Sequence, residues 1–310
     1  MLDFKRILVG IDVEEGSLPV PTRQAFDHAV RVAAACGAEL LLLTVTGAND
    51  LDTQSILEAE PQTPNAHAAL QEVQQQLVRE ASEQGVLAVA QVAHGRSWYE
   101  IIRAAMRDRS DLVVVGTRDK GQAERILFGS TCMKLLRKCP CPVWITRPDP
   151  DELVQTILAA DDFSETGEHV LRLGVGMAQA LRGRLLALHA AKIGHEGALL
   201  RTGTSEPDVQ SRRNQIIKEA EDKLAARLSH LDHRTVPGGT LLRVVAGMPD
   251  LVIEESVRKE HISLVVMGTL ARTGLPGLLL GNTAERLLPL LTCSVLAIKP
   301  AGFVSPVPAP

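Results

Sequence analysis

Short apolar runs alternate along this chain with stretches whose apolar residues recur at helical spacing. Residues 5–11 (KRILVGI) form the first run and end at Asp12, as a buried parallel strand does. Residues 22–35 follow with Phe26, Ala29, Val30 and Ala33 on one helical stripe, and Cys36-Gly37 supplies a glycine stop. Residues 39–45 (ELLLLTV) read as the second strand, 47–65 as a polar, Pro-bearing loop, and 66–84 as a helix. Then come strand 86–93, helix 97–109, strand 111–115, helix 129–138 and strand 142–146. Alternating strands and helices predict parallel sheets covered on both faces.

The second half runs through the same elements. Residues 157–162 (ILAADD) lie 150 positions after 7–12 (ILVGID), and 185–190 match 40–45 at an offset of 145. Gly247, Gly268, Gly281, Cys293 and Pro300 each stand 152 beyond Gly95, Gly116, Gly129, Cys141 and Pro148. Offsets that change only in a helix and a loop are what duplication with loop tolerance produces. The predicted domains are 1–148 and 154–300, with a mobile Pro-rich tail at 301–310.

The chemistry sits where strands end. GTRDKGQAERILFGST (116–131) and GTLARTGLPGLLLGNT (268–283) each follow an apolar strand and lead into a helix. A glycine-bearing loop before a helix start offers unpaired amides and the positive end of the macrodipole to an anion. Ligands of such sheets bind outside the carboxyl ends of the strands. Asp12 and Asp162 close the first strand of each half, placed to hold ribose hydroxyls while the loops hold phosphates. Asp162 is preferred to Asp161 because it shares the register of Asp12. An ordinary capped strand-to-helix turn is the plain alternative.

Composition narrows the classes. With 45% hydrophobic and 23% charged residues the chain is globular. A net charge of −4 and 3% aromatics leave no footprint for nucleic acid or an anionic membrane. No apolar run is long enough to span a bilayer. Five cysteines fit a reducing, cytoplasmic setting. Cys139-Pro140-Cys141 has no second Cys pair at zinc spacing, so structural placement outweighs metal binding. Gly174-Val175-Gly176 falls inside a predicted helix and reads as packing. No nucleophile, base and orienting group come together, so no catalytic residue is assigned.

At these residues the chain resembles the universal stress proteins, and the two-domain bacterial E type most of all, through LLRKCPCPVW (135–144) and the 268–288 segment. The family's adenine-nucleotide binders carry G-x2-G-x9-G-[ST] with an Asp closing the first strand. The resemblance implies two tandem doubly wound α/β domains of the adenine-nucleotide α-hydrolase type, with five-stranded parallel sheets in the order 3-2-1-4-5. It implies an intramolecular pseudo-dimer in which residues 143–147 and 295–299 pair antiparallel. It also implies a bound ATP, ADP or AMP, with Mg²⁺ accompanying the nucleotide, and possibilities of a protein partner and a further homodimer.

Carried over residue by residue, the first half keeps Asp12, Val45, Gly116, Gly129, Ser130 and Thr131, but has Asp119 at the second glycine. A carboxylate about 4 Å from a phosphate charge costs about 4 kcal/mol at an effective dielectric near 20. The second half keeps Asp162, Ala190, Gly268, Thr269, Gly281 and Thr283, adds Arg272, and has Ala271 for the second glycine and Asn282 for the serine. Half two is therefore the expected nucleotide site. The alternatives are a ligand-free interaction scaffold and a slow ATPase.

Overall fold

A computed structural model describes residues 2–14, 16–47, 64–117, 128–148, 155–193, 205–269 and 280–310, the side chains of 64–67 excepted. The first apolar run becomes β1 (Arg6–Gly10), with Ile7, Leu8 and Val9 wholly buried. Helix α1 (Val20–Cys36) starts with Pro21 in its first turn, where the missing N–H is not needed, and stops at Gly37 with φ 70°. The chain continues through β2 (Glu39–Thr46), α2 (Pro64–Glu83), β3 (Ala88–His94), α3 (Ser97–Arg107), β4 (Leu112–Gly116), α4 (Ser130–Lys138) and β5 (Val143–Thr146). The second half supplies β6 (Thr156–Ala160), α5 (Glu165–Ala180), β7 (Arg184–Ala191), α6 (Glu206–Ser229), β8 (Thr240–Ala246), α7 (Pro249–Lys259), β9 (Leu264–Gly268), α8 (Asn282–Leu287) and β10 (Ser294–Ile298).

Two compact units result. The larger comprises Leu2–Pro150, Thr269–Gly281 and Thr292–Pro310. Its strands run β3-β2-β1-β4-β5, all parallel, as the resemblance implied. Strand β10 joins this unit by pairing antiparallel with β5, Val295 opposite Ile145 and Ala297 opposite Val143. The expected ladder between the two final strands is therefore present. Pairing with β10 leaves β5 with no open edge on that side.

The smaller unit comprises Asp151–Gly268 and Asn282–Leu291, with parallel strands in the order β8-β7-β6-β9. This repeats the first four positions of the other sheet. Gly174 in α5 is a packing glycine, since a Cβ there would stand 2.6 Å from the Ala159 Cβ on β6. The tail, expected to be mobile, places Val307 at 6% exposure and Phe303 beneath the Lys299 ammonium at 4.9 Å. No helix among the described residues is long and apolar enough to cross a membrane.

Candidate functional site

The carboxyl end of β6 is where the second half concentrates polar chemistry. The Asp161 amide still donates to Leu188 on β7, as the Ile11 amide donates to Leu43. Asp162 therefore occupies the place that Asp12 occupies in the first half, one residue past the ladder. Ser164 caps α5, accepting from the Gly167 amide at 3.0 Å, and donates both its amide and its hydroxyl to Asp162 Oδ1. Asp162 is exposed at the positive end of α5. On the neighbouring strand, β9 ends at Gly268, half-buried.

Its neighbour Asp161 has the opposite environment: the side chain is wholly buried. Asp161 Oδ1 accepts from Arg227 Nη1 at 2.9 Å and from the Phe163 amide at 2.8 Å, while Oδ2 has no partner among the described residues. Arg227, on α6, also donates to the carbonyls of Ser164 and Phe163, so one guanidinium holds the whole β6–α5 turn. Burial pushes the Asp161 carboxyl above the usual carboxylate range, against the lowering effect of the Phe163 amide and Arg227. Phe163 sits at φ 62° and stacks on His189 with centroids 3.9 Å apart, and the Lys223 ammonium lies 4.5 Å from the Phe163 ring centroid. His189 Nδ1 faces the Asp161 carbonyl at 2.8 Å. A carbonyl only accepts, so Nδ1 is the donor in this contact.

In the first half Ile11 and Thr44 stand where Asp161 and His189 stand, so that acid and that imidazole have no counterparts there. The Asp161-Asp162 doublet was the visible signal in the sequence, but Arg227 lies 66 positions away and nothing local points to it.

The glycine loops divide into parts with different roles. A Cβ on Gly116 would meet the Pro21 carbonyl carbon and oxygen at 2.6 Å, so this glycine lets α1 sit against the end of β4. At Gly268 the nearest atom is the Thr166 methyl at 3.1 Å, a looser fit. Gly129 has nothing within 4 Å of a Cβ and an ordinary φ of −61°, with Ser130 exposed and Thr131 half-buried at the start of α4. Val45 and Ala190 are half-buried at the ends of β2 and β7. Thr269 is 1% exposed, and both its amide and its hydroxyl donate to Ile298. The Gly281 amide donates to the Thr269 carbonyl at 2.8 Å. Asn282 is exposed and Thr283 half-buried at the start of α8. Arg272, Ala271 and Asp119 lie outside the described residues. Among the described residues no group of three or more His, Cys, Asp or Glu stands together as a metal site.

Behind Thr269, Lys299 Nζ donates to the Leu136 carbonyl and to Thr269 Oγ1 at 3.2 Å. Burial pulls its pKa from 10.5 down to about 8. Between those values the unfolded chain binds a proton that the folded chain does not, so stability rises with pH across that window. Lys299→Met is expected to flatten that rise. Urea titrations at a series of pH values from 7 to 10 check it, and an unchanged slope would count against the buried ammonium.

Both halves of the chain, residues 3–147 and 154–299, match the model of the universal stress protein family. Universal stress protein E of Photorhabdus laumondii is 28% identical over 225 residues, covering 70% of each chain. Universal stress protein E of Escherichia coli K12 is 28% identical over 224 residues, covering 70% of this chain and 69% of its own. Among solved structures, a putative universal stress protein from Pseudomonas aeruginosa UCBPP-PA14 aligns over 96% of this chain and 94% of its own, with a TM-score of 0.68 at 23% identity.

Proposed function

The chain belongs to the universal stress protein family as a tandem member of the E type, and from that premise we propose that it is a non-enzymatic stress-response protein binding an adenine nucleotide in its second half. The observation that carries this reading is Asp162. It is an exposed carboxylate just past the carboxyl end of β6, in register with Asp12, and β6 is the strand that pairs with β9. A carboxylate in that place accepts hydrogen bonds from a ribose diol, and the loop that follows Gly268 in the chain carries Arg272 for phosphate charge. The reading includes a cytoplasmic location.

Isothermal titration with ATP, with and without Mg²⁺, tests it. Hydrogen bonds to a charged group contribute about 1.5–3 kcal/mol, so Asp162→Ala is expected to weaken binding about 10- to 100-fold. Asp12→Ala is expected to leave it unchanged. Absence of heat with the wild type, or an unaltered isotherm for Asp162→Ala, removes the nucleotide reading. Phosphate release above background would remove the non-enzymatic part.

One observation favours a second reading, a ligand-free interaction scaffold. The Gly281 amide and the Thr269 hydroxyl are both engaged inside the fold, which leaves the loop fewer donors for a phosphate. Native mass spectrometry of freshly purified protein distinguishes the two: a nucleotide mass supports the first, and a bare chain that also ignores added ATP supports the second.

A further inference from the structure

None of the five cysteines is held in a disulfide, and two of them are neighbours in space as well as in sequence. Cys139 caps the end of α4, its amide donating to the Leu135 carbonyl, and Cys141 stands just before β5. Their sulfurs are 3.5 Å apart and share a hydrogen bond. A disulfide needs about 2.05 Å between sulfurs, so a side-chain adjustment of about 1.5 Å closes the gap. The end of a helix and the start of a strand hold the two backbones, with Pro140 stiffening the link between them. Cys139 is wholly buried, whereas Cys141 as a residue is half-buried. With only two ligands, and no larger metal group among the described residues, the pair is poorly suited to hold zinc.

We propose that Cys139 and Cys141 are an oxidation site that closes to an intrachain disulfide when the protein meets a hydroperoxide. The Cys141 thiolate attacks one peroxide oxygen and the O–O bond breaks. Cys141 becomes a sulfenic acid, and the departing oxygen takes a proton to leave as water or an alcohol. The Cys139 sulfur then attacks that of Cys141, the S–O bond breaks, and the hydroxide leaves as water with the Cys139 proton. Two thiols lose two electrons in total and the peroxide gains them. The hydrogen bond to Cys139, followed by burial, holds the Cys141 thiol well above its ordinary range, with the Asp111 carboxylate acting in the same direction. Sealing one intervening residue makes a small, strained ring that a dithiol reopens. This inference is independent of whether a nucleotide binds.

The test uses the full-length protein, treated with hydrogen peroxide, blocked with N-ethylmaleimide and digested with trypsin. Cleavage after Lys138 and Arg172, Arg147 being shielded by Pro148, places both cysteines on one peptide. The expected product is that peptide unlabelled and lighter by two hydrogens, doubly labelled again after dithiothreitol. Cys141→Ser is expected to leave Cys139 labelled and the peptide without a disulfide. A doubly labelled wild-type peptide after peroxide would overturn the proposal. So would loss of label from one cysteine only with added oxygen, or a disulfide mapping to Cys132 and Cys293 instead.

Discussion

Replacing Arg227 with methionine is expected to lower the unfolding free energy by about 3 kcal/mol, at the low end of what removing one member of a buried ion pair costs. The arginine is the charged partner of a carboxylate with no exposed surface, and it also serves the Ser164 and Phe163 carbonyls. Without it, Asp161 keeps the hydrogen bond from the Phe163 amide and, among the described residues, no ion-pair partner. Urea denaturation followed by circular dichroism measures the loss as a lower midpoint at unchanged m-value. A second substitution separates the charge from the loss of shape: Asp161→Ile, the residue found at position 11, is expected to restore most of the stability to Arg227→Met. A double variant no more stable than the single one would show that the carboxylate is not the cause.

The same pair fixes the sign of a pH effect. Burial raises the Asp161 carboxyl above its unfolded value of 3.8, so the folded chain holds that proton more tightly. Its contribution is then most favourable below the unfolded pKa and declines as pH rises through the folded one. Removing Arg227 takes away a lowering influence and raises the folded pKa further. The penalty of Arg227→Met should accordingly be smaller at about pH 4.5 than at about pH 7.5.

Gly116→Ala carries the second large effect, a loss of about 1–3 kcal/mol from overpacking. The added methyl would meet backbone atoms of Pro21 at 2.6 Å, and backbone in the first turn of a helix yields little. Its counterpart Gly268→Ala meets only a threonine methyl at 3.1 Å and should cost less than about 1 kcal/mol. Thermal unfolding of the two variants side by side checks the asymmetry. Equal losses would mean that the two glycines are there for a common reason, and that packing against α1 is not what distinguishes Gly116.

That asymmetry marks how far a repeat can be read. The duplicated spacing of Gly116 with Gly129 and of Gly268 with Gly281 was plain in the chain, and it led to the correct strand ends. It did not say that one glycine admits a helix turn while its copy is looser, because the distance to Pro21 or Thr166 is set by how α1 and α5 settle on their sheets. Thr269 belongs with these cases. Its place after the strand made it a ligand candidate, whereas its burial and its bonds to Ile298 follow from the placement of β10.

The order of strands and helices, the glycine stop at Gly37, the packing glycine at 174 and the shared register of Asp12 and Asp162 were all determined by the sequence. Each depends on residues a few positions apart, where apolar period and backbone conformation act directly. Only the tertiary structure decided that Asp161 would be buried beneath Arg227, that Phe163 would stack on His189, and that two thiols would come within 3.5 Å. The first two depend on where a crossover helix and a neighbouring strand come to rest. The thiols, though two residues apart, depend on how a helix end and a strand start aim their side chains. Periodicity carries no information about any of these.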